Sequence, residues 1–137
     1  PQTLARGGSI LVVEDNAINR LVVREMLIKH GHNVVEAVDG EDGVRRASET
    51  KFDLIFIDGG HDYETAYADL LNCKQLAHSE TIVIMDDIVK NKRYEAEWTI
   101  GPSKAWNNLI TLNMLKELSS SDYEYGKGQT VGQYIFN

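Results

Sequence analysis

A single cysteine, Cys73, stands among 137 residues, so no internal disulfide can form. That suits a reducing compartment, which makes a cytoplasmic location, native or recombinant, the expectation. Cys73 lies within a helical pattern and reads as a packed small hydrophobe. No apolar run approaches ~20 residues, so the sequence offers no membrane span. Basic residues are in deficit: 14 Lys and Arg against 21 Asp and Glu give a net charge of −7. That balance argues against nucleic acid or an anionic membrane as a partner. It leaves a cation site or plain solubility as the meaning of the acid excess. No specific partner is expected, and a monomer or weak homodimer is the state anticipated. Pro1 to Ser9 lack the apolar core of a signal peptide and read as a leader. There is no internal repeat and no low-complexity tract. With 42% hydrophobic and 26% charged residues, the chain fits one globular α/β domain over residues 1–137.

What is present is an alternation of apolar runs and amphipathic stretches. Ile10 to Val13 is a β-branched run of the kind buried in parallel sheets, and it ends on Glu14-Asp15. A helix is predicted from Ala17 to His30, with Val22-Val23, Met26-Leu27 and His30 as its buried stripe and Gly31 beyond its end. Val34 to Val38 is a second strand, followed after Asp39-Gly40 by a short helix with Val44 and Ala47 inward. Leu54 to Ile57 is a third strand, ending on Asp58. Asp62 is placed to cap a helix whose inner face is Tyr63, Ala66, Tyr67, Leu70 and Leu71. Thr81 to Met85 is a fourth strand, ending on Asp86-Asp87.

Val89 to Ile100 reads as a long polar loop that includes Trp98, and Gly101-Pro102 as the start of a helix with Pro at its first position. That helix takes in Trp106, Leu109 and, further on, Leu115 and Leu118; Ser119 to Asp122 breaks it. Tyr123 to Tyr125 and Val131 to Phe136 form a hairpin around Gly126 to Gln129. The whole predicts a three-layer α/β/α sheet, flavodoxin-like or Rossmann-like, in the order 2-1-3-4-6-5, with a functional crevice at the strands' carboxyl ends.

Two resemblances follow from these motifs. Ile10-Leu-Val-Val-Glu14-Asp15-Asn16, Asn19-Arg20, Gly31-His32, Asp39-Gly40 and Phe52 to Asp58 resemble the receiver domain of response regulators, over about 10–58. This implies Mg²⁺ held by Glu14, Asp15 and Asp58, with Asp58 as phospho-acceptor in two-component signalling. The pattern then departs: Gly59-Gly60-His61 follows the aspartate, Asp86 and Asp87 stand where a hydroxyl belongs, and no Lys-Pro pair closes the set. Phe52 to Glu64, Ile82 to Ile88, Gly101-Pro102 and the final hairpin resemble the C-terminal half of a class I S-adenosylmethionine-dependent methyltransferase, over about 52–137. This implies a metal-dependent O-methyltransferase with Asp58, Asp86 and Asp87 on a divalent cation and His61 as a candidate base. Here the glycine-rich turn after the first strand is replaced by Glu14-Asp15-Asn16.

These features point to an engineered chimera, a de novo scaffold joining residues 10–58 to 59–137 at the third strand. No catalytic activity and no required cofactor are expected of it. A residual Mg²⁺ or Ca²⁺ site formed by Glu14, Asp15, Asp58, Asp86 and Asp87 is expected at the strand ends. The alternatives are a phospho-accepting receiver and a methyltransferase fragment.

Overall fold

The computed structural model of the chain describes residues 7–137. Its elements run β1 (Ser9–Glu14), α1 (Ala17–Lys29), β2 (Asn33–Ala37), α2 (Gly40–Ala47), β3 (Leu54–Asp58), α3 (Tyr63–Lys74), β4 (Ile82–Asp86), a 3₁₀ turn (Lys92–Tyr94), α4 (Glu97–Thr111), β5 (Leu115–Glu124) and β6 (Lys127–Tyr134). The six strands make one sheet in the order β2-β1-β3-β4-β6-β5, as the alternation predicts. β1 to β4 are parallel, and β6 runs antiparallel between β4 and β5. The architecture is three-layer α/β/α and Rossmann-like. Ser9, expected in the leader, already pairs with Asn33 in β1. Pro1 to Arg6 lie outside the described residues.

The crossover helices start where short polar side chains satisfy their first amides. Asn16 accepts from the Asn19 amide, Asp39 from Asp42 and Asp62 from Thr65. The side-chain period of two then sorts each strand into two faces. Leu11, Val13, Ile55, Ile57, Val83 and Met85 face one way, into a core completed by Leu70, Cys73 and Leu76 of α3 and Trp106 and Leu109 of α4. On this side α2, α3 and α4 pack next to one another. The other face carries α1 over β1 and β2. The Tyr134 hydroxyl ties β6 to α3 by donating to the Leu70 carbonyl at 2.5 Å.

Four expectations need correction. α1 has no buried residue: Val22 and Met26 are exposed, and the side turned to the sheet carries Arg20, Val23, Arg24 and Leu27. The cause is Glu36 on β2, whose carboxylate pairs with the Arg24 and Arg20 guanidinium groups at 2.9 and 3.5 Å and turns the helix about its axis. α4 begins at Glu97, so Trp98 is helical and Pro102 lies inside the helix. The Thr99 hydroxyl accepts from the Ala96 amide and donates to the Ala96 carbonyl, which starts the helix five residues before proline. α4 ends at Thr111, and Leu115 and Leu118 belong to β5, which runs unbroken through the expected gap with bulges at Glu117/Ser119 and Asp122/Glu124. The hairpin reverses at Tyr125-Gly126, where Gly126 takes the left-handed φ of 73° and its carbonyl accepts from the Trp98 indole at 2.9 Å.

Trp106 joins the sheet layer to the helices. It is fully buried, and its indole donates to Glu117 of β5 at 2.8 Å. Trp106→Ala is therefore expected to lower unfolding free energy by ~3–5 kcal/mol. Denaturant titration reads this as an earlier midpoint, while Trp98→Ala, at a half-exposed position, moves it less.

Candidate functional site

Parallel register puts the ends of three strands at one edge. Glu14 of β1 is opposite Asp58 of β3, and Asp86 ends β4 beside them. Glu14, Asp15, Asn16, Asn19, Asp58, Gly59, His61, Asp86 and Asp87 line a cleft there of about 330 Å³. Asp87 adopts a left-handed φ of 65°, rare for a residue with a side chain. In that conformation its Oδ2 meets His61 Nε2 at 3.0 Å. One ligand atom each from Asp58, His61 and Asp87 lies within 4.8 Å of the others. The His61 loop is held from outside by α4. Gly101 lies so close to the backbone of His61 to Tyr63 that a Cβ there would collide with it.

Of the five acids proposed as metal ligands, the structure brings Asp58 and Asp87 together and adds His61. Glu14 and Asp86 line the same cleft with one oxygen each engaged locally: Glu14 Oε2 accepts from the Asn16 amide, and Asp86 Oδ1 from the Asp87 amide. Asp15 lies at the rim, exposed. Burial pushes the Asp58 carboxyl up to about 9, helped by the negative charges of Asp86, Glu14 and Asp87. Burial also raises Glu14 and Asp86, the latter with Asp87 adding to the effect. With no cation present, Asp58 holds a proton at neutral pH.

Asp69 is a residue the sequence reading passed over. It is 3% exposed, on the inner face of α3. Its Oδ1 accepts from the Gly40 amide at 2.8 Å, fixing the start of α2, while its Oδ2 has no partner and lies against Gly59. Burial pushes its carboxyl up to about 6. The available signal was an acid at helical spacing from Ala66 and Cys73, both core residues.

The model of the methyltransferase-domain family matches residues 2–88. The chain belongs to that family. This methyltransferase domain superposes on the O-methyltransferase from Bacillus cereus in complex with SAH with a TM-score of 0.64 at 14% identity, covering 98% of this chain and 77% of that one. Protein PilH of Pseudomonas aeruginosa is 41% identical over 49 residues, 36% of this chain and 40% of PilH. The chain thus spans two fifths of the length of that relative. The receiver domain of sensor histidine kinase PA1611 from the same organism is 30% identical over half of this chain and 56% of its own, with a TM-score of 0.40.

The family match corrects two expectations. A non-enzymatic scaffold is not what membership implies, because the family is one of enzymes. Nor is the absence of a cofactor, since a methyltransferase family takes its methyl group from a donor, for which the class I resemblance implies S-adenosylmethionine. The residues here do not cradle that donor at the β1–α1 turn. Glu14 and Asn16 fill the turn and occupy the Asn16 and Asn19 amides, and Glu36 at the end of β2 is held by two arginines. No step is derived through it. Among the described residues, no helix is long and apolar enough to cross a membrane.

The raised carboxyls fix how stability depends on pH. Their contribution is complete below about pH 4, where unfolded carboxylates are protonated too. It is lost as pH rises through about 6 for Asp69 and about 9 for Asp58. In chelator, Asp58→Asn should flatten stability against pH between about 4 and 9 and raise the melting temperature at pH 8. Asp69→Asn should flatten the curve only between about 4 and 6 and leave a constant gain above that. Thermal melts across pH check both.

Proposed function

We propose that this methyltransferase domain holds a divalent cation at the carboxyl ends of β3 and β4 and acts on a hydroxyl-bearing substrate. The observation that carries the reading is the convergence of Asp58, His61 and Asp87, with ligand atoms within 4.8 Å of one another. Two carboxylates and an imidazole suit Mg²⁺ less well than Mn²⁺ or a similar borderline ion. A bound cation would supply acidity to a coordinated hydroxyl and offset the crowded negative charge. The chain's own contributions are definite. Asp58 would exchange its proton for a cation held there, Asp87 meets the His61 ring at 3.0 Å, and Asp86 would add negative charge beside the ion.

Mn²⁺ in the millimolar range is expected to raise the melting temperature by linkage, more at pH 8 than at pH 6, since loading displaces the Asp58 proton. Asp58→Asn and Asp87→Asn should each remove the shift. A melting temperature insensitive to Mn²⁺, Mg²⁺ and Ca²⁺ would end the cation reading. Calorimetry with S-adenosylmethionine tests the donor separately: the occupied Asn16 and Asn19 amides predict no heat, and heat would show that the β1–α1 turn gives up those contacts.

We further infer that the two stretches, about 10–58 and 52–137, have separate ancestries joined within β3. The confinement of the PilH match to 49 residues supports this, as does the receiver-like pattern of the first stretch. Separate comparison of each stretch with natural proteins is the test. A natural protein aligning without interruption from Ile10 to Phe136 would overturn it.

A further inference from the structure

α1 is amphipathic in the wrong sense for a helix laid on a sheet. Ile18 is 73% exposed, Met26 57%, Val22 55%, Leu21 53% and Ile28 41%. Five large aliphatic side chains on one 13-residue helix are left in water. Together they expose on the order of 500 Å² of apolar surface, near the upper end for the largest patch on a monomer. The five lie on the side of α1 opposite to Arg20, Val23, Arg24 and Leu27, and so face away from the sheet. A stable pair of chains buries ~800 Å² from each partner, and the apolar side chains of α1 supply the larger part of that area, the polar groups between them the rest.

The charges on α1 say which partner fits. Arg20 and Arg24 are engaged by Glu36, and Arg24 also by Glu25. Among the described residues, Lys29 at the carboxyl end of the helix has no ion-pair partner, and neither has Asp15 just before its start. Ile18, Val22 and Met26 lie four apart, in one ridge along the helix. A two-fold axis through Val22 sets this ridge against itself. Ile18 then meets the partner's Met26, Val22 meets its own copy, and Glu25 faces the partner's Asn19. Lys29 falls beside the partner's Asp15. The antiparallel pairing also opposes the two helix dipoles, end to end.

We propose that the chain forms a homodimer in which α1 packs antiparallel on α1 of a second copy, about an axis through Val22. The interface is isologous, so it closes at two chains, and it brings the partner's Lys29 to Asp15 at the rim of the strand-end cleft. It does not depend on the cation reading.

Sedimentation velocity over a concentration series tests the proposal. The wild-type chain should sediment as a dimer at tens of micromolar. Val22→Glu, placing like charges at the axis, should weaken association at least about 100-fold while keeping the melting transition of a folded monomer. Ile18→Lys, at the most exposed of the five positions, should do the same. Lys29→Asp should weaken the dimer, and adding Asp15→Lys should restore it, because the swap re-forms the cross-pair. A wild-type monomer throughout would overturn the proposal. So would a dimer indifferent to Val22→Glu and Ile18→Lys, or a charge swap without rescue.

Discussion

Negative charge crowded at one edge of the sheet is the constraint on which the rest of the structure turns. Parallel pairing admits no choice in the matter: once Leu11 sits beside Ile55, Glu14 must sit beside Asp58. β4 then adds Asp86, and the left-handed turn after it adds Asp87. Two carboxylates ~4 Å apart repel by ~4 kcal/mol at the effective dielectric of a protein surface. A protein with ordinary marginal stability cannot leave several such pairs ionised. Either a proton or a cation must reside there, and the Asp58 carboxyl, pushed up to about 9, is where the proton goes when no cation does.

That edge is tolerable because the layer beneath it is continuous. From β1 to β4, alternate residues enter the same core, closed by α3 and α4. β3 is its middle, with Ile55 and Ile57 fully buried between β1 and β4. The hairpin extends the sheet without a further crossover, and Trp106 and Tyr134 bind it to the helices through one hydrogen bond each. Among the described residues, the opposite face carries only α1, over β1 and β2, held there by the pairing of Glu36 with Arg20 and Arg24.

The sheet order was legible because short apolar strands alternating with helical stretches, three of them ending on acids, admit few arrangements. The cap at Asp62 was legible because the chemistry is local; those at Asn16 and Asp39 obey the same rule but were not singled out. The rotation of α1 was not, because Val22 and Met26 have the spacing of a buried stripe, and only the cross-element pairing of Glu36 with Arg24 and Arg20 decides which stripe turns inward. The start of α4 was hidden by Pro102, which usually marks a first turn; Thr99 capping Ala96 outweighs it. At the site, Asp58 and Asp87 were readable as strand-end acids. Their meeting with His61 was not, since it needs the positive φ of Asp87 and the close approach of Gly101 to the His61 loop.

The two ends of the cleft differ in what they have left to bind with. At the β3–β4 end, Asp58 and Asp87 have oxygens free of backbone partners, and His61 meets only Asp87. At the β1–α1 end, the Asn16 and Asn19 amides, which could meet an anionic ligand group at the helix start, are already taken by Glu14 and Asn16 side chains. An incoming carboxylate would have to displace a neighbouring carboxylate that is tethered in place, and so has a lower entropic cost of binding. The Glu14 charge would also repel the newcomer while it did so. A cation at Asp58 changes this balance. By attracting Glu14 across the β1–β3 pairing, it would loosen the hold on the Asn16 amide and lower the barrier to a ligand there. Glu14 thus bears on both halves of the cleft, holding the Asn16 amide at one and standing opposite Asp58 at the other.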